Sequence, residues 1–229
     1  MPNAPPVARF ERVAHRGLPR ERAENTLPGF LLALDRGADA VELDTHVTQD
    51  GVVIVHHDDA VRGRSIAETD WRDLRDMDLG RGARIPRLDD VLDALGDRAA
   101  VYVELKGRRI EERVASVVRA QGRRFALHSF DHDAIARLAQ LAPDLSRGIL
   151  FDKATANPRE ALREAVARVH PRDVWPHWSL VDQRFVELAH ELGTRVIVWT
   201  VNSAATARAL VAQGVDAVCT DDVQILADI

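Results

Sequence analysis

Residues 41–58 read VELDTHVTQDGVVIVHHD: an acidic strand, a turn, and a return strand tipped with histidines. Successive side chains of a strand point to opposite faces, so Glu42, Asp44 and His46 share one face while Val41, Leu43, Thr45 and Val47 share the other. The turn signal Gln49-Asp50-Gly51 precedes a second apolar run over 52–55, which ends on His56-His57-Asp58. Two carboxylates and a histidine pair therefore converge at one rim. The apolar residues around them read as sheet buried on both sides, not as a solvated ribbon.

Upstream, residues 11–15 form a short strand ending at His15-Arg16-Gly17. Asn25 or Thr26 then caps a helix that Pro28 starts, with an apolar face through Phe30, Leu31 and Leu34. Downstream, residues 59–84 are charge-rich and lack periodicity apart from a turn of helix near 71–75, which predicts a small insertion over the mouth of the fold. Helical spacing over 88–95 leads to a strand at 99–106, AAVYVELK, where Tyr102, Glu104 and Lys106 share one face. Helices at 110–120, 131–141, 158–169, 181–192 and 204–213 then alternate with strands at 124–127, 147–150, 173–175, 195–200 and 217–219, and a closing helix starts at Asp222.

Eight strand-helix units in one undivided chain of 229 residues predict an α/β protein, a (β/α)8 barrel forming a single domain over 1–229. No glycine-rich dinucleotide fingerprint follows any strand. In such a barrel the reactive groups belong at the carboxyl ends of the strands, where His15, Arg16, Glu42, Asp44, Glu104 and Lys106 fall.

Composition narrows the chemistry. With 31 basic against 36 acidic residues, net −5, the chain has no electrostatic footprint for nucleic acid or an anionic membrane. The single cysteine, Cys219, excludes an intrachain disulfide and zinc-thiolate patterns, and reads as a small buried residue. MPNAPPVARF lacks the pattern of a secretory signal, and no segment is long and apolar enough to span a bilayer, so a soluble cytoplasmic protein is the default expectation. Only Lys106 and Lys153 are lysines in a chain that otherwise uses arginine, which singles out Lys106 on its strand.

Three inward carboxylates, Glu42, Asp44 and Glu104, are costly to hold together without a cation. All-oxygen ligation favours Mg2+ or Ca2+, although Arg16 and Lys106 could instead neutralise the cluster without metal. Those two cations beside a metal suit a phosphoryl group, and two rim histidines can supply and accept protons. His15 is one. His56 and His57 have opposite strand parity, so only one of them points inward. His46 reads as a polar rim residue, and His128, His132, His170, His177 and His190 as surface or loop histidines.

The chain resembles the glycerophosphodiester phosphodiesterases. The resemblance rests on His15-Arg16-Gly17, Glu24-Asn25-Thr26, Glu42-x-Asp44 with its hairpin, His57-Asp58, Glu104-x-Lys106, Ser129-Phe130, Trp199-Thr200-Val201-Asn202 and Gly214-Val215-Asp216-Ala217. It implies a TIM barrel with Mg2+ or Ca2+ held by Glu42, Asp44 and Glu104, acid/base catalysis by His15 and His57, and phosphate contacts from Arg16 and Lys106. It also implies Trp199 as a residue packing against substrate. The reaction implied is hydrolysis of a small-molecule glycerophosphodiester to sn-glycerol 3-phosphate and an alcohol, with lysophospholipase D activity, cyclisation, or phosphate binding without catalysis as alternatives on the same site. Where the family commonly has a threonine-leucine-aspartate and arginine-threonine run after its His-Asp pair, this chain has Asp59-Ala60-Val61-Arg62-Gly63-Arg64.

Overall fold

The computed structural model describes residues 10–80, 82–121 and 125–229. Strand β1 (Glu11–His15) lies parallel to β2 (Ala40–Val47), which turns back into the antiparallel β3 (Val53–Val55). The insertion adds a small separate hairpin, β4 (Ala60–Val61) with β5 (Arg64–Ser65). Six more parallel strands follow: β6 (Ala100–Leu105), β7 (Phe125–Ser129), β8 (Ser146–Phe151), β9 (Asp173–Pro176), β10 (Arg195–Val198) and β11 (Ala217–Thr220). Their order is β1-β11-β10-β9-β8-β7-β6-β2, and β2 pairs again with β1. The sheet therefore closes into the expected eight-stranded parallel barrel.

The helices are α1 (Leu27–Asp35), α2 (Trp71–Leu74), α3 (Leu88–Leu95), α4 (Glu111–Gln121), α5 (His132–Leu141), α6 (Pro158–Val169), α7 (Gln183–Glu191) and α8 (Ala204–Ala212). Their starts are chemically marked. Asp131, Asp182 and Ser203 accept backbone N–H groups at the first turns of α5, α7 and α8, and proline opens α1 and α6. Each long helix buries one stripe; on α3 it is Leu88, Val91, Leu92 and Leu95.

Strand alternation divides the core into two shells. Outward-facing residues such as Val41, Leu43, Val101, Val103 and Leu127 pack under the helices, where each fully buried aliphatic side chain contributes about 1.5–3 kcal/mol. Inward-facing Val13, Ala40, Tyr102, Ala126, Leu150 and Trp175 fill the barrel itself. At the strands' amino ends Tyr102 donates to Glu11 (2.6 Å), and Arg195 reaches Glu11 (2.8 Å) and Asp173 (3.3 Å), which closes the floor. The open end is therefore the carboxyl end.

Val61, Ile66 and Leu74 of the insertion form a small core with Ile54 of β3 and with Ile85. The insertion leans on the β2–β3 hairpin through Gln49 N to Thr69 O (3.1 Å) and Trp71 N to Asp50 Oδ1 (3.0 Å). Three local expectations need correction. The closing helix is only a 3-10 turn, Val223–Leu226. Strand β10 stops at Val198, two residues early, while β7 runs two residues further than expected, to Ser129. Residue 124, its expected start, and the proline-rich lead over 1–9 lie outside the described residues. Among the described residues no helix is long and apolar enough to cross a membrane.

Candidate active site

The carboxyl ends of the barrel strands surround a cavity of about 220 Å³. His15 ends β1, Glu42 belongs to β2 and Glu104 to β6, while Arg16 and Lys106 open the loops after β1 and β6. Together with His57 and Trp199 they all face this one cavity. His56 does not line it and sits near the Ala60 backbone.

A tight loop after β1 sets the geometry. Gly17 has φ +84°, and a Cβ there would come 2.8 Å from the Gly29 carbonyl carbon, so only glycine lets this loop press onto α1. Arg16 and Asn25 are themselves left-handed, at φ +54° and +55°. Asn25 is fully buried; its Nδ2 donates to Asp44 Oδ2 (2.8 Å) and its Oδ1 accepts from Asp44 N (3.2 Å). Thr26 occupies the cap position of α1 without a side-chain capping bond, and donates instead to Ala23 O (2.6 Å). Asn25 thus serves Asp44, not the helix.

Asp44 lies behind the cavity wall. Arg16 Nε is 3.0 Å from its Oδ2, an ion contact whose N–H is not aimed at the oxygen, and Lys106 Nζ is 3.8 Å from its Oδ1. Burial alone would raise its pKa, but Arg16, the Asn25 hydrogen bond and Lys106 outweigh burial and hold the carboxyl below its ordinary range. Glu104 goes the other way. Burial first and the charge of Asp44 second push it well above its ordinary value, against the pull of Lys106, whose Nζ is 3.3 Å away.

Both candidate proton carriers are anchored alike. His15 Nδ1 is 2.7 Å from Asp221 Oδ1, and His57 Nδ1 is 2.7 Å from Asp58 Oδ1. Burial would lower the His15 pKa, yet the bond to Asp221 and the charge of Glu42 raise it overall. Asp221 is held in turn by Asn202 Nδ2 at 2.6 Å. His46 is not a rim residue: it is buried within β2, and its Nε2 meets His57 O at 3.2 Å, steadying the loop that carries His57.

Sequence reasoning missed three contributors. Asp221 and Asn202 carry no assigned role in the sequence reading, and His128 reads there as a surface or loop histidine. His128 is in fact 1% exposed inside the barrel. The signal was available in its parity: Ala126 faces inward, so His128, two residues on, does too. Phe130, from the loop after β7, stands edge-on to Trp199 with ring centroids 5.3 Å apart. Cys219 borders the cavity, where burial and then Glu42 push its thiol pKa well up, so it remains a neutral thiol and not a nucleophile.

The donor set fits a divalent cation. Glu42, Glu104 and His128 present donor atoms all within 4.8 Å of one another. Asp44 falls outside that group, but its buried Oδ1 accepts no hydrogen bond among the described residues. Crowded carboxylates, one with a raised pKa, together with unpartnered buried acceptors are what such an ion would stabilise.

The chain has known relatives in sequence and in fold. Residues 15–225 match the Glycerophosphoryl diester phosphodiesterase family. The chain belongs to that family, and it is an enzyme. A glycerophosphodiester phosphodiesterase of Caldanaerobacter subterraneus subsp. tengcongensis is 29% identical over 235 residues, covering 93% of this chain and 95% of the relative. The crystal structure of a glycerophosphodiester phosphodiesterase from Agrobacterium tumefaciens superposes with a TM-score of 0.86 at 27% identity, covering 96% of this chain and all of that one (100%). An Oleispira antarctica phosphodiesterase, solved in complex with the product sn-glycerol-3-phosphate, is 25% identical with a TM-score of 0.84, over 95% of each chain.

Proposed function

We propose that the chain hydrolyses glycerophosphodiesters in a metal-dependent reaction, releasing sn-glycerol 3-phosphate and an alcohol. The observation that carries this reading is the meeting, at one cavity, of two carboxylate-anchored histidines with two fixed cations and a carboxylate cluster. Family membership and the product complex of the Oleispira relative support the substrate class.

In this reading Glu42, Asp44 and Glu104 hold Mg2+ or Ca2+. When bound, the ion neutralises charge on the phosphoryl oxygens. Arg16 and Lys106 orient the remaining phosphate oxygens and offset the charge that grows toward the transition state. Because Asp221 and Asp58 occupy Nδ1 of His15 and His57, proton transfer falls to Nε2 of each ring. One ring takes the proton of the attacking group and the other returns a proton to the departing alkoxide. Trp199, with Phe130 beside it, walls the leaving alcohol.

Phosphorus NMR tests the proposal. Purified protein is incubated with glycerophosphocholine, glycerophosphoethanolamine, glycerophosphoglycerol or a lysophospholipid, with Mg2+, Ca2+ or chelator. Glycerol 3-phosphate forms only with metal, and His15→Ala and His57→Ala each slow turnover by about 10²–10⁴-fold with the fold intact. A cyclic phosphate or lysophosphatidic product replaces the proposed reaction; full activity in both variants removes the assigned roles.

A further inference from the structure

His128 is buried in a way that leaves it nothing to bind. Strand β7 sets it in register with Glu104 on one side and Gly148 on the other. Its ring stacks on Trp175, centroids 4.5 Å apart and planes 25° from parallel. Gly148 makes that stack possible: a Cβ there would lie 3.2 Å from His128 Cβ and 3.1 Å from Trp175 Nε1. The ring is thus oriented by packing alone, and neither Nδ1 nor Nε2 has a hydrogen-bond partner among the described residues.

A buried polar group left unpartnered costs about 1–3 kcal/mol. Its nearest charged neighbour, Glu42 Oε1, is 3.7 Å from Nε2, beyond hydrogen-bond reach. Glu42, Glu104 and His128 each offer a donor atom, and all three atoms lie within 4.8 Å of one another.

We infer that His128, through Nε2, is a ligand of the same divalent ion as Glu42 and Glu104, which turns an all-oxygen site into a mixed oxygen and nitrogen one. This inference rests on the reading that those carboxylates hold a metal. An imidazole donor strengthens the hold on later first-row ions such as Co2+ more than on Mg2+ or Ca2+, which the carboxylates can bind without it.

Metal binding, measured apart from turnover, tests it. Chelator-stripped protein is titrated calorimetrically with Co2+, Mg2+ and Ca2+, and the Co2+-loaded protein is examined by proton NMR. The expected result is a paramagnetically shifted imidazole N–H in the unmutated chain. In His128→Gln and His128→Asn, checked for folding by circular dichroism, that resonance disappears. Co2+ affinity falls by about tenfold or more, while Ca2+ affinity changes by no more than about threefold. The unmutated chain tests the inference even if both variants misfold. Normal Mg2+ or Ca2+ binding with no shifted imidazole resonance, a resonance that survives in a folded variant, or an equal loss for every ion overturns the ligand assignment alone. Failure to bind any divalent ion overturns both it and the metal-dependent reading.

Discussion

Asp221, just past the last barrel strand, lies 2.7 Å from Nδ1 of His15 at the end of the first, 206 residues away in sequence. The contact spans the seam where the barrel closes, so correct closure and the setting of this histidine are one event. Asn202 holds Asp221 from the far side, donating from Nδ2 and accepting the Asp221 backbone N–H at 3.0 Å. Asp221→Asn keeps the shape and removes the charge that raises the His15 pKa. We expect kcat to fall by about tenfold or more, with the limb of the pH–rate profile that reports His15 displaced to lower pH. Reduced kcat with that limb unmoved would show a merely structural residue.

Asn25 shows how a loop residue can set the charge of a buried acid. Its Nδ2 bond to the Asp44 carboxylate helps keep that group ionised against the cost of burial, while its Oδ1 accepts the Asp44 backbone N–H. Asn25→Asp replaces the Nδ2 donor with a second carboxylate in the same space. The added group must ionise beside Asp44, so its pKa rises in the folded state and stability falls as pH climbs through the ordinary carboxylate range. Denaturant titration should show a loss of about 1–3 kcal/mol at pH 7, mostly recovered near pH 4. A pH-independent loss would mean that the defect is one of packing.

The barrel was legible because its signals are local and repeated: β2 and β6 alternate strictly, and strand-helix units recur along the chain. Parity put Glu42 and Glu104 on the face that borders the cavity, whereas Asp44, on the same face of β2, lies behind its wall. Parity also showed that only one of His56 and His57 could point inward, without saying which. It failed at His128 because the strand was ended too soon, and a histidine placed in a loop has no face. Local propensity left Asn25 and Thr26 both open as the cap of α1; the chain puts Thr26 there, and Asn25 turns to a tertiary partner that no local signal announces. The Asp221 contact had no local signal at all. The apolar residues at 54, 61, 66, 74 and 85, in and beside the insertion, follow neither strand nor helix period, so their small core could not be seen before the chain was folded.

If Glu104 holds the proposed ion, its raised pKa makes metal binding pH-dependent in a definite direction. With no cation bound, its raised pKa means that the folded chain holds more protons than the unfolded one above the ordinary value of 4.5, so this group makes stability fall as pH rises toward the raised value. A divalent ion must displace that proton. Affinity therefore grows with pH across the same window. At about a hundredfold excess over Kd a bound ion stabilises by about 2.7 kcal/mol. Thermal melts with and without chelator should show a larger metal-induced rise in Tm at pH 8 than at pH 5.5. A larger rise at the lower pH would contradict a protonated Glu104 in the metal-free site.

The aromatic wall carries the last prediction. Trp199 is fixed by its Nε1 bond to Trp175 O (2.9 Å), with Phe130 edge-on at 5.3 Å and the His177 ring at 5.5 Å. Phe130 is 40% exposed and lines the cavity. A quaternary ammonium leaving group would find ring faces there, worth about 0.5–1 kcal/mol at an exposed site. Phe130→Ala should therefore raise KM for glycerophosphocholine by about two- to fivefold and leave kcat and the KM for glycerophosphoglycerol nearly unchanged. Trp199→Ala should cost more, because it also frees the Trp175 carbonyl and removes the partner on which Phe130 rests. Equal effects on both substrates would mean that the wall shapes the cavity without reading the alcohol.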